Sequence, residues 1–273
     1  HSKKILENID GNGKVFGFEV DPKATAKSSE LCSNSSRFKI IENNFDKIKV
    51  ELYGLGIYEI DGILYDLGTS NLELNDNERG FSFSKDGLLD MRMDPTLKNT
   101  AENVVNNYPL EKLTEIFFNY GEERMSKQIA REIVKIREET KIDSTKQLKD
   151  IISKFSNQKY RNKALARIFQ AIRIEVNNEL EVLEKSLNEA IKLLKIGGRL
   201  VVISYHSLED RIVKKIIQKE IKDCICPPEI PICVCNHKAT LKKINTRIIT
   251  PTLSEIKTNS QSRSAKLRVA EKI

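Results

Sequence analysis

The sequence predicts an α/β protein whose sheet is interrupted by an inserted all-helical domain, and three observations carry that reading. Strand-like apolar runs stand at Lys14–Asp21, Phe38–Ile41 and Ile63–Tyr65, separated by stretches long enough for crossover helices, which implies parallel pairing. From about Asn99 to Asn188 the texture changes to charged amphipathic helix with no convincing strand. Leu200-Val201-Val202-Ile203 then returns to the sheet. The expected boundaries are therefore 1–98 and 189–273 for two parts of one α/β domain, with 99–188 as the helical insertion.

Taken in order, Ile5, Leu6 and Ile9 fall at helical spacing, and Gly11-Asn12-Gly13 makes a turn into the first strand. That strand ends in two acids. Glu19 is placed to accept hydrogen bonds from ribose hydroxyls, whereas Asp21 suits a cap on a helix with Pro22 at its first position. After Phe38–Ile41, Phe45 fits either an adenine pocket or the core. The next strand stops at Asp66-Leu67-Gly68, where open α/β sheets hold their ligands, although a capping Asp in a turn explains the same residues.

The segment Asp61–Asp94 is the densest in chemistry. Arg79-Gly80-Phe81-Ser82-Phe83 sets aromatics beside a guanidinium, and Leu88, Leu89, Met91, Arg92 and Met93 place large side chains in a loop. Such loops pack down as a lid or receive a ligand, and aromatics next to arginine suit an unstacked base.

Within the insertion, Leu110, Leu113, Ile116 and Phe117 share one helical face. Met125, Ile129, Ile133 and Ile136 share a second, and Leu148, Ile151, Ile152 and Phe155 a third. Arg124, Lys127, Arg131, Lys159, Arg161, Lys163, Arg167 and Arg173 offer a phosphate-facing surface or a solvated one. One long helix is expected from about Asn162 to Leu194, closed by Gly197-Gly198. Beyond Ile203, His206 stands between strand end and helix start, where Ser207 with Asp210 three residues on reads as a cap.

Cys224, Cys226, Cys233 and Cys235 flank Pro227, Pro228 and Pro231. Four thiolates are enough for a structural zinc, although Cys-x-Cys is not the usual spacing and reduced thiols fit too. The tail Ser262–Ala270 alternates basic with small or apolar residues like a final strand with a basic face.

With 273 residues and 39% hydrophobic content the chain can build a proper core. Its 46 basic against 39 acidic residues leave +7, which favours an anionic partner such as RNA. No run approaches the roughly 18 apolar residues of a membrane span and the first residues lack an apolar secretory core, so a cytoplasmic protein is expected.

The chain resembles the bacterial small-subunit ribosomal RNA methyltransferases that methylate N4 of a cytidine in the decoding region of 16S RNA with S-adenosylmethionine. The resemblance runs through Asp61-Gly62-Ile63-Leu64, Asp66-Leu67-Gly68, Arg79–Phe83, Asp86-Gly87, Leu89–Asp94 and Tyr120–Arg124. It continues through Phe169-Gln170-Ala171 with Arg173-Ile174, Gly197–Leu200, His206–Arg211 and Ser262–Arg268. These blocks span nearly the whole chain in order.

The resemblance implies a Rossmann-like methyltransferase domain with a helical insertion that helps bind 16S RNA on the small ribosomal subunit. It places S-adenosylmethionine contacts on His1, Glu19, Phe45, Asp66 and Glu73. At Thr69-Ser70-Asn71-Leu72-Glu73 the family has Val-Ser-Ser-Pro-Gln, so a carboxylate stands where an amide is usual. Only His1-Ser2 remains of a Gly-rich loop ending Gly-Gly-His-Ser, which reads as an N-terminally incomplete sequence. The expected reaction is direct transfer to an extruded cytosine, with Asp66 and His206 as candidate acceptors for its amino hydrogens. Arg79, Phe81, Phe83, Arg92 and Arg173 form the expected RNA side. The alternatives are a non-catalytic RNA-binding or ribosome-assembly protein, and a small-molecule methyltransferase.

Overall fold

The structure is a computed structural model that describes residues 1–32, 35–230, 232–245 and 247–273; Pro231 of the proline-rich loop lies outside them. The chain opens with α1 (Ser2–Asn8), β1 (Val15–Phe18), α2 (Pro22–Cys32), β2 (Phe38–Ile41), α3 (Ile48–Gly54), β3 (Ile60–Asp66) and α4 (Asn71–Asn75). Then come α5 (Ala101–Asn107), α6 (Leu110–Asn119), α7 (Ser126–Glu139), α8 (Thr145–Ser153), α9 (Arg161–Asn177) and α10 (Glu179–Leu193). β4 (Leu194–Ser204), α11 (Ser207–Glu220), β5 (Leu241–Lys243), α12 (Leu253–Thr258) and β6 (Lys266–Lys272) follow. Two compact units divide it: residues 1–42 with 69–179, and residues 43–68 with 180–273.

In the first unit β1 and β2 pair in parallel, Val15 opposite Phe38 through Phe18 opposite Ile41. The Arg37 guanidinium, just before β2, donates to the carbonyls of Asp10 and Leu6, both at 3.0 Å, and so ties down the end of α1. The three expected helical faces pack into one core. Leu113, Ile116 and Phe117 of α6 meet Ile129 and Ile133 of α7, Leu148, Ile151 and Ile152 of α8, and Leu165, Ile168, Phe169 and Ile172 of α9. Burying each such side chain contributes about 1.5–3 kcal/mol, which outweighs any helix propensity in this charged stretch.

The long helix expected over 162–194 is two helices. Asn178 takes the left-handed conformation, φ 50° and ψ 38°, which ends α9 one residue before α10 begins. Asparagine enters this region more readily than other side chains, so the apolar spacing runs on while the backbone turns. Nor do Gly197-Gly198 close a helix. β4 already starts at Leu194, and Gly197, at φ 83°, lies inside it.

In the second unit the order is β3-β4-β6-β5. β3 and β4 are parallel, from Gly62 opposite Arg199 to Asp66 opposite Ile203. β6 runs antiparallel to both β4 and β5, and among the described residues β3 pairs with β4 and not with β1 or β2, so the early strands are in parallel pairs but not in the single sheet expected. Tyr65, Leu187, Leu200, Val202, Val213 and Ile217 belong to its core. The Tyr65 hydroxyl is buried 2.7 Å from Ser186 Oγ, and Ser186 in turn donates to the Phe45 carbonyl at 2.8 Å. Tyr65 is therefore the donor, and burial raises its pKa.

Asp210 of α11 accepts from Arg268 Nε at 2.7 Å and from Lys266 Nζ at 3.3 Å, both on β6. Burial raises its pKa, but the two cations outweigh burial and the net shift is downward. A depressed carboxylate stabilises the fold above its unfolded pKa of about 3.9 and loses that contribution as pH falls through the folded value. Urea midpoints measured from pH 6 to pH 2 are expected to show an acid loss that is smaller in Asp210→Asn.

Candidate active site

A group of polar side chains gathers at the carboxyl ends of β3 and β4 in the second unit. Asp66 closes β3, the Leu67 amide continues the ladder to the Ile203 carbonyl at 3.0 Å, and Gly68 turns the chain at φ 91°. A side chain on Gly68 would also come 3.5 Å from the Tyr205 ring, in ordinary contact, so the left-handed backbone is what demands glycine. The Tyr205 hydroxyl donates to Asp66 Oδ1 at 2.9 Å. Protein atoms crowd the Asp66 carboxyl enough for desolvation to raise its pKa even though its side chain reaches solvent, and the Tyr205 hydrogen bond offsets part of that. Tyr205 is pushed up to about 12, by desolvation first and then by Asp66, so it keeps its proton at neutral pH.

His206 caps α11, one residue before the expected Ser207. Its Nδ1 faces the Glu209 amide at 3.5 Å, and Glu209 Oε2 accepts from the amides of Tyr205 at 2.8 Å and His206 at 3.3 Å. His206 Nε2 is buried and, although 3.1 Å from Glu209 Oε1, makes no hydrogen bond, so the imidazole is tied to the turn that aims Tyr205 through Nδ1. A groove of about 360 Å³ lies beside it, lined by Tyr205, His206, Thr250, Arg263, Ser264 and Lys266 among others. Arg263 and several hydroxyls stand in this lining beside Lys266, which is paired with Asp210.

In the first unit, Glu19 follows β1 directly. Its Oε1 accepts from the amides of Val20 and Asp21, both at 2.9 Å; Oε2 receives neither. Burial raises the Glu19 pKa, against the lowering effect of those two amides. Asp21 caps α2 as expected, accepting from the Lys23 amide at 2.9 Å, and it is also ion-paired with Arg79. Glu73 is buried and closes a capping box: its Oε2 accepts from the Ser70 amide at 2.6 Å while Ser70 Oγ accepts from the Glu73 amide at 3.2 Å. A glutamine would make the same box, which accounts locally for either residue at that position.

The residues expected to face RNA are engaged inside this unit. Besides Asp21, Arg79 donates to the carbonyls of Arg92 at 2.5 Å and Met93 at 2.9 Å, and its guanidinium lies 5.3 Å from the Phe81 ring centre. Phe81 is buried, and Phe83 meets Phe169 edge to face at 5.5 Å. Arg92 grips Asp90 through two hydrogen bonds of 2.7 and 2.8 Å, Arg173 grips Glu179 at 2.7 and 2.9 Å, and Arg167 pairs with Glu123. The loop is thus packed down by its own arginines, because a guanidinium fork satisfies carboxylates and loop carbonyls at once. His1 is exposed at the start of α1, with no side-chain cap. Phe45, in the second unit, stacks edge to face on Tyr65 at 5.7 Å and packs against the core there. Elsewhere in that unit the sulfurs of Cys224, Cys226, Cys233 and Cys235 converge to within 4.8 Å of one another.

The family model described as the MraW methylase family matches residues 1–273. The chain belongs to the MraW methylase family. It is similar to the ribosomal RNA small subunit methyltransferase H of Caldicellulosiruptor saccharolyticus, 49% identical over all of this chain and 89% of that protein. The enzyme of the same description from Clostridioides difficile is 45% identical with the same coverage, and that of Carboxydothermus hydrogenoformans 46% over 88% of its length. A crystal structure described as a putative rRNA-methylase from Clostridium thermocellum aligns with 98% of this chain and 80% of its own, at TM-score 0.40 and 12% identity, too low to argue from. Membership in a methylase family agrees with the Rossmann-like α/β architecture and its strand-end acids. Among the described residues no helix is long and apolar enough to cross a membrane.

Sequence reasoning missed Tyr205 as a partner of Asp66. The signal was available: Asp66 and Tyr205 each stand at the end of a strand expected in the same sheet.

Proposed function

We propose that the chain methylates N4 of a cytidine in the decoding region of 16S ribosomal RNA, in the cytoplasm, with S-adenosylmethionine as donor. The observation that carries this reading is the Asp66–Tyr205 pair at the ends of two adjacent parallel strands. When bound, S-adenosylmethionine supplies a methyl group already activated on a sulfonium. The protein's work is then placement and proton handling.

In the first unit Glu19 is the ribose acceptor. Its Oε1 is fixed by two amides, which leaves Oε2 to take the hydroxyls. His1, Phe45, Asp66 and Glu73 complete the set assigned to the donor, with Glu73 acting through the capping box that shapes its loop. In the second unit Asp66 also accepts an N–H of the cytosine amino group, freeing the nitrogen lone pair from conjugation with the ring, and takes the proton released after transfer. Tyr205 holds that carboxylate in place, and His206 holds Tyr205's turn. Arg263 and Lys266 contact backbone phosphates. Arg79, Phe81, Phe83, Arg92 and Arg173 serve RNA by holding the 79–94 loop and the end of α9 in shape, and the helical insertion, 99–188, helps bind it.

Incubating the chain with S-adenosylmethionine and small ribosomal subunits from an unmethylated strain, then mapping 16S RNA by mass spectrometry, tests the reading. One added methyl on a cytidine is the expected result. Calorimetric titration separates the non-catalytic alternative, which predicts no donor binding. Glu19→Ala is expected to weaken donor binding about tenfold, as loss of a hydrogen bond to a charged acceptor implies.

A further inference from the structure

We infer that Cys224, Cys226, Cys233 and Cys235 form a structural zinc site that folds the excursion between α11 and β5. The four sulfurs lie within 4.8 Å of one another, with Cys233 and Cys235 at 3.5 Å and Cys224 and Cys235 at 3.8 Å. Zinc–thiolate bonds of about 2.3 Å set tetrahedral sulfur–sulfur edges of about 3.8 Å, whereas a disulfide brings sulfurs to about 2.05 Å. Those two separations match the first spacing and not the second.

Three backbone amides point at the sulfurs: Ile225 at Cys235 and Cys226 at Cys224, both 3.4 Å, and Val234 at Cys226, 3.5 Å. Neutral thiols are weak acceptors, so a ring of donors suits thiolates that have given their protons to solvent on binding a divalent ion. No oxidation or reduction is involved.

Among its described residues the excursion has little apolar packing of its own. Ile232 is 75% exposed and Val234 69%, so its apolar side chains are not gathered into a core. Small segments without a core are held by metals or disulfides. A tetrahedral set of four sulfurs selects zinc or iron, and a site made only of cysteine leaves no open position for catalysis, which assigns the role to structure.

Metal analysis of the chain purified without chelators is expected to find about one zinc per chain. Cys224→Ser combined with Cys233→Ser lowers that by about tenfold or more. Should this variant fail to fold, cobalt(II) loaded into the unaltered chain decides: an intense thiolate-to-cobalt charge-transfer band with tetrahedral visible bands is expected. The site is overturned if the reduced chain retains no zinc after reconstitution and gives no such band, or if it holds iron in place of zinc. Loss of zinc is read as metal content and protease sensitivity at residues 222–240, independently of methyl transfer.

Discussion

Asp66→Ala is expected to lower methyl transfer to 16S RNA by about 100-fold or more while the fold survives. The loss is the one typical of a positioned proton acceptor, about 10²–10⁴-fold. Survival follows from position: Asp66 stands at the end of β3, its side chain reaches solvent, and the strand pairing to Ile203 uses only backbone. Single-turnover assays with circular dichroism as a control measure both halves. The pH profile gives a second reading. Asp66 accepts a proton only when ionised, so activity rises with pH through its raised pKa. Tyr205→Phe removes the hydrogen bond that lowers that pKa, so the acid limb moves to higher pH. Unchanged activity in Asp66→Ala would remove the carboxylate from the chemistry.

Arg79→Ala is expected to cost about 3 kcal/mol of stability, the largest structural effect in the first unit. Asp21 is almost wholly buried, 3% exposed, and Arg79 is its ion-pair partner. Removing one side of a buried pair leaves the other charge without compensation and typically costs about 3–5 kcal/mol; Arg79's own partial exposure argues for the lower end. The substitution also releases the carbonyls of Arg92 and Met93. Urea unfolding checks the size, and Arg79→Lys is expected to recover only part, since an ammonium cannot reproduce the fork. Substituting Arg79→Met together with Asp21→Leu is expected to cost less than the sum of the two single losses, because the unpaired charge is gone while the α2 cap and the loop-carbonyl bonds are still lost.

Much of the fold was legible because strand ends and helix faces are local patterns. Phe38–Ile41 and the end of β3 at Asp66 are marked by the acids and asparagines that follow, and Leu113, Ile116, Phe117, Ile129 and Ile133 show their burial in their spacing. The break at Asn178 was not legible, since the apolar rhythm of α9 continues into α10 and one asparagine carries the turn. β5 escaped because only Leu241 of its three residues is buried and its pairing is to a strand far along the chain. The intramolecular partners of the arginines in the 79–94 loop were not legible, because composition shows a charge but not its partner. Asp21 lies 58 positions from Arg79. Tyr205 is 139 positions from Asp66, and only the expectation that both strands share a sheet could have brought the two together.

The strand order of the second unit has a consequence for synthesis. β3 finds its partner β4 only after residues 69–179 have been made, and β5 meets β6 only when 266–272 emerge. Loop closure of that length is slow, and an unpaired apolar strand is prone to aggregation while it waits. A ribosome that stalls before residue 266 would therefore release a chain whose helical core can form but whose second sheet has lost the strand that joins β4 to β5. Residues 266–272 thus decide whether the strand ends bearing Asp66 and Tyr205 belong to a finished sheet.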